Sequence, residues 1–212
     1  MNKMTAIPQN YKNNVEWILG AYEDAGVTFP NGFQKDAIQN AVGARKINKW
    51  KNWSCDISVC KTDKGEFVIV EDSGTMGLTG ANIPAEEINK LMAAGETLDS
   101  TQRLARFTSM FNSGGNATGG GLFGAGKSVY SVASDRYTYY FDSLREDGLY
   151  VANMNKCGQV QSVALENDEA KNFIYDFTGL APKQNIGTRI IIESPKKELV
   201  ESILNGDIIS YI

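Results

Sequence analysis

The chain has 212 residues, 42% of them hydrophobic and 22% charged, with a formal net charge of −4. That is long enough to bury a sizeable core and ordinary for a globular protein. It contains no histidine, which excludes histidine acid–base chemistry, serine-type triads, histidine metal sites and a phosphoaccepting histidine in these residues.

The cysteines Cys55, Cys60 and Cys157 are odd in number and form no C-x-x-C pair. Structural zinc and a disulfide framework are therefore not expected, and a reducing cytoplasm is the expected compartment. The N-terminus lacks an apolar signal core, and no apolar run approaches the ~18 residues of a membrane span. A negative balance argues against strong nucleic-acid binding by this piece. The cluster Arg45, Lys46, Lys49 and Lys51 reads as a solvated helix end.

In chain order, Val15, Ile18, Leu19 and Tyr22 recur at helical spacing over 11–25, and Gly26 stops the run. Asn31 can cap a second helix over 32–49, with an apolar stripe of Phe33, Ala37, Ile38, Ala41 and Val42. Two apolar strands follow at 54–62 and 66–70, joined by the hairpin signal Asp63-Lys64-Gly65. Pro84 opens a short helix to 94, and another helix is predicted over 101–111. After a glycine-rich stretch and its helix come strands at 136–143, 149–155 and 159–165, a buried strand at 187–192 and a final helix at 198–204. No internal repeat or long linker divides the chain, so one α+β domain is expected.

Residues 119–134 read GGGLFGAGKSVYSVAS, with Gly119, Gly120, Gly121, Gly124 and Gly126 ahead of an apolar pattern. Glycines let backbone N–H groups approach a ligand, and a following helix start favours anions. Gly121, Gly126, Lys127 and Ser128 also satisfy the G-x-x-x-x-G-K-S spacing of a P-loop. That motif needs a buried strand immediately before it, and SMFNSGGNATGG is polar and glycine-rich. A glycine-hinged lid over a nucleotide is the preferred reading.

Two further constellations carry chemistry. Asp36 and Asn40 are four apart, so they lie on one helical face. The first can accept a proton from water, and the second offers an amide oxygen suited to Mg²⁺. The strand FVIV runs into Glu71-Asp72-Ser73-Gly74-Thr75-Met76-Gly77, placing a carboxylate at a sheet rim beside permissive backbone. Such a carboxylate can accept from an exocyclic amine, as on adenine.

In this order the elements resemble the GHKL superfamily of Bergerat-fold ATPases: gyrase-type topoisomerases, ninety-kilodalton heat-shock chaperones, MutL-type mismatch-repair proteins, MORC proteins and histidine kinases. Asp36 and Asn40 match the first motif, Asp72 and Gly74 the second, Gly121, Gly124 and Gly126 the third, and Gly187-Thr188 the fourth. The lid string is most similar to those of gyrase-type and heat-shock chaperone domains.

The resemblance implies a two-layer α/β sandwich, with a mixed, mostly antiparallel sheet covered by helices on one face. By it, Asp36 would be the catalytic base and Asn40 the Mg²⁺ ligand. Asp72 would hold the adenine amino group, backed by Thr188. Gly74, Gly77 and the lid glycines would line the nucleotide, with Lys127 and Ser128 near its phosphates. Three features depart from the pattern: Asp36 replaces the usual glutamate, Asp-x-Gly-x-x-Gly is one residue longer than usual, and Gly43 replaces an acidic residue.

The implied function is binding of Mg-ATP and its slow hydrolysis, with lid closure coupled to self-association or partner binding. A non-hydrolysing ATP switch is the alternative, and a P-loop nucleotidase the third reading. The chain would be the N-terminal module of a larger protein. Other domains would supply its partners, nucleic acid included, with no membrane contact.

Overall fold

The computed structural model describes residues 9–44, 52–96, 98–108, 127–157, 159–160 and 163–208. Two helices, α1 (Gln9–Asp24) and α2 (Phe29–Ala44), lead into strands β1 (Ser54–Thr62) and β2 (Gly65–Ser73). Helices α3 (Ala85–Ala93), α4 (Arg103–Thr108) and α5 (Ser128–Val132) follow. The second half holds β3 (Thr138–Leu144), β4 (Tyr150–Lys156), β5 (Gln159–Val160), β6 (Leu165–Glu166), α6 (Asn167–Thr178), β7 (Gly187–Glu193) and α7 (Lys197–Leu204).

The strands form one sheet in the order β1-β2-β7-β3-β4-β5, with β6 also paired to β4. Every described pairing is antiparallel, so the parallel component expected of a mixed sheet is absent among the described residues. Alternation along the strands sorts side chains to two faces. Cys55, Ile57, Val68, Val70, Tyr139, Phe141, Ile190 and Ile192 face a core shared with α1, α2, α5 and α7. This is the expected two-layer sandwich of α+β class.

The structure adds one element to it. Phe67, Ile69, Tyr140, Tyr150, Ala152 and Ile191 point the other way and pack on Ala170, Phe173 and Ile174 of α6. Strands apolar on both faces must be covered on both. Residues 67–70 and 190–192 are all buried, and a helix on the second face is the result. At its C-terminus Gly179 adopts a left-handed φ of 70° and donates to the Tyr175 carbonyl at 2.8 Å. Thr62 at the β1–β2 turn donates its hydroxyl to the Thr178 carbonyl at 2.7 Å, docking the helix end on the hairpin.

Several boundaries move. The first two helices begin earlier than predicted. Asn31 lies inside the first turn of α2, because Pro30 is tolerated there and the helix starts at Phe29. The expected 159–165 strand is two short pieces, β5 and β6. The basic cluster at 45–51 and the end of the 101–111 helix lie outside the described residues.

Candidate functional site

β2 presents Asp72 on the face of the larger core, directly opposite Cys55 of β1 in the sheet register. Asp72 is 7% exposed. The Thr75 hydroxyl donates to its Oδ1 at 2.6 Å, and the Thr188 backbone N–H donates to the same oxygen at 3.0 Å. Among the described residues nothing bonds Oδ2. Burial pushes the carboxyl up to about 6, against the lowering effect of the bonds from Thr75 and Thr188 and the nearby charge of Lys183. A desolvated carboxylate with one oxygen anchored and the other open is built to accept a donor.

Neighbouring backbone makes this placement possible. Gly187 precedes Thr188 with φ of 149°, and a Cβ there would sit 2.3 Å from the Asp72 carbonyl oxygen and 2.7 Å from Oδ1. Ser143 of β3 donates to the Gly187 carbonyl at 2.8 Å and accepts from the Leu78 N–H at 2.9 Å. Its hydroxyl also lies 3.3 Å from that of Thr188.

The glycines after Asp72 approach protein backbone. Gly74 (φ 76°) donates to the Ile186 carbonyl at 3.2 Å, and a Cβ there would lie 2.0 Å from the Asn52 carbonyl oxygen. Gly77 (φ 71°) leaves no room for a Cβ beside the Leu144 carbonyl oxygen at 2.7 Å. Both residues therefore fold the loop, Gly74 against the segment that leads into β1 and Gly77 against the end of β3.

Asp36 and Asn40 share one face of α2, as their spacing predicts. Asp36 accepts a hydrogen bond at 2.5 Å from the Tyr22 hydroxyl of α1. The tyrosine ring reaches it by lying across Gly32, one helical turn earlier, where a Cβ would come within 2.6 Å of the ring. Burial, then the Asp36 bond, raises the Tyr22 phenol far above its ordinary value. Asn40 donates its Nδ2 to the Tyr130 hydroxyl of α5 at 3.2 Å. Tyr130 is buried, and its phenol is raised first by burial and then by the neighbouring acidic groups Cys55, Asp72 and Asp36. Tyr130 thus bonds one member of the α2 pair and lies within electrostatic reach of both Asp36 and Asp72.

Lys127 is engaged with protein. Its ammonium donates to the carbonyls of Arg106 and Phe107 at 2.6 and 2.8 Å and lies 5.5 Å from the Phe107 ring centroid. The residue as a whole is half-buried while its charged end is enclosed. Desolvation and the Arg106 charge press its ammonium down to about 7. Ser128 opens α5 and is 2% exposed. Gly121, Gly124 and Gly126 lie outside the described residues.

Sequence reasoning missed Thr75, Ser143, Tyr22 and Tyr130. A hydroxyl three residues after Asp72 in a glycine-bearing turn was a readable local signal for Thr75. The others come from distant segments and had none.

Among the described residues no group of three or more Cys, Asp and Glu is arranged to hold a metal ion. No described helix is long and apolar enough to cross a membrane. Compared with known proteins, the chain matches no family model and no curated protein.

Proposed function

We propose that this chain is an ATP-binding module of the GHKL, Bergerat-fold type that holds Mg-ATP under a glycine-rich lid and hydrolyses it slowly. The observation that carries the reading is Asp72, with Oδ1 locked by Thr75 and Thr188 and Oδ2 unbonded among the described residues. An exocyclic amine is a donor of the kind that Oδ2 would accept, which favours adenine over guanine.

Asn40 fits a magnesium role in its chemistry. Its Nδ2 is directed to Tyr130, and its amide oxygen is a hard donor of the kind Mg²⁺ accepts, since Mg²⁺ takes few protein ligands beside phosphate oxygens and waters. Asp36 would orient the attacking water. Gly121, Gly124, Gly126 and Ser128 would face the phosphates, and Lys127 would have to exchange its α4 carbonyls for them. Lid closure would alter association with a second copy or a partner. All three cysteines are free, in keeping with a reducing cytoplasm.

A non-hydrolysing switch is the second reading, favoured by the bond that occupies Asp36. Aspartate is shorter than glutamate by about 1.5 Å, one C–C bond, and Tyr22 holds one of its oxygens. Calorimetric titration with Mg-ATP and Mg-GTP, followed by a phosphate-release assay, tests both readings. ATP binding with slow release supports the enzyme, and binding without release supports the switch. Failure to bind ATP removes the proposal.

A further inference from the structure

Arg103, the first residue of α4, has a buried Nε with no hydrogen-bond partner among the described residues. Its one described bond runs from Nη1 to the Ala44 carbonyl at 3.3 Å, at the C-terminal end of the helix that carries Asp36 and Asn40. It forms no described salt bridge. An arginine desolvated this way forgoes the charged bonds for which its planar fork is suited.

The backbone on either side of Arg103 is pinned to the loop that follows Asp72. Leu104 donates its N–H to the Thr79 carbonyl at 2.9 Å, and the Thr79 hydroxyl donates to the Thr101 carbonyl at 3.1 Å. Gly80 passes so close to Gln102 that a Cβ would stand 2.6 Å from its Cα. The loop that leaves Asp72 therefore carries Arg103 on its far end. Arg103 interacts electrostatically with Asp72 and is repelled by Arg106, whose carbonyl in turn accepts from the Lys127 ammonium. Arg106 thus faces both Arg103 and Lys127, and Arg103 interacts also with the buried Asp72 carboxylate.

We propose that Arg103 is an anion-binding residue of this site, and that its guanidinium takes the phosphates of the nucleotide whose base Asp72 accepts. The inference rests on the nucleotide reading above. It adds a second anchor, between the Asp72 end and the α2 end of the site. Nε and Nη2 form the edge of the guanidinium opposite the Ala44 bond, and that edge can engage two phosphate oxygens at once.

The test compares adenosine, ADP and ATP by calorimetry in the parent, in Arg103→Gln and in Arg103→Lys. Circular dichroism and thermal unfolding establish that each variant is folded. Arg103→Gln should weaken ADP and ATP by about 10- to 100-fold while adenosine changes by less than about twofold. Arg103→Lys keeps the charge and loses the fork, so it should fall between. Equal losses for adenosine and ATP, or none for either, overturn the proposal. A parent protein that binds none of the three overturns the nucleotide reading. Tripolyphosphate, titrated alongside, then decides the anion site alone. Binding lost in Arg103→Gln sustains that site, and no binding to the parent removes it.

Discussion

The Thr188 backbone N–H donates to Oδ1 of Asp72 at 3.0 Å across the β2–β7 boundary. One strand end thereby aims the carboxylate of another. Because the donor is main chain, the contact survives any side-chain change at 188 that leaves the strand paired. Asp72 itself is the sensitive partner.

Asp72→Asn should weaken ATP binding by about 1.5–3 kcal/mol, since an amide can turn a donor towards the adenine amine. Calorimetry on the folded variant checks this, and unchanged affinity takes Asp72 out of the site.

The same carboxyl sets a pH dependence. Burial raises it to about 6 in the fold, above the ~3.9 of an unfolded aspartate. The folded state therefore favours the neutral form. Its stabilising contribution is complete below pH ~4 and is lost as pH rises through about 6. Urea unfolding of Asp72→Asn should lack that component between pH 4 and 7. ATP affinity should run the opposite way, weakening as pH falls below about 6, because the protonated Oδ2 would present a hydrogen to another donor. Flat titrations across this window would contradict both statements.

Gly187→Ala should destabilise the fold by about 1–3 kcal/mol or more, since φ of 149° is strained for alanine and its Cβ would press on Asp72. Nucleotide affinity should fall with it. Chemical denaturation together with titration separates this result from a simple loop effect, which would spare binding.

Turnover tests the α2 pair. Asp36→Ala should lower phosphate release by about 100-fold and leave ATP binding nearly unchanged, whereas Asn40→Ala should damage both. Asp36→Glu extends the carboxylate and should raise the rate if reach is limiting. Release by Asp36→Ala at the parent rate would assign the base elsewhere.

A buried ion ladder crosses the second face of the sheet. Arg189 donates from Nε and Nη2 to the two oxygens of Asp142 at 2.9 and 2.5 Å. Tyr150 donates to Asp142 as well, and Lys183 donates to Glu71 at 2.5 Å. Asp142 is fully buried, so Asp142→Ala would strand the guanidinium and should cost about 3–5 kcal/mol. A shift in urea midpoint with an unchanged m-value is the expected signature.

Much of the sheet was legible because its signals are local. The 54–62 strand and the last strand and helix were read to within a residue, since β-branched runs and turn residues mark them. Helix α6 was overlooked, although Ala170, Phe173, Ile174 and Phe177 keep helical spacing and Gly179 stops them. A two-residue strand runs directly into it, and no cap separates the two. Asp72 and Thr188 were named by motif order, but no local pattern could show that they touch across the sheet. Tyr22 on Asp36 was beyond reach for the same reason, because the ring lies over a glycine of another helix.

Glu71 and Asp72 are adjacent on β2 and point to opposite faces, the first towards Lys183 in the ion ladder and the second towards the larger core. Arg189 sits opposite both Glu71 and Asp142 in the register. Sliding β2 by one residue against β7 would exchange the two carboxylates and expose every alternate apolar side chain to the wrong face. The ladder therefore works as a key that admits one alignment of strands far apart in sequence. A chain mispaired in this way would leave the buried Lys183 ammonium without Glu71, and would be driven to separate and pair again.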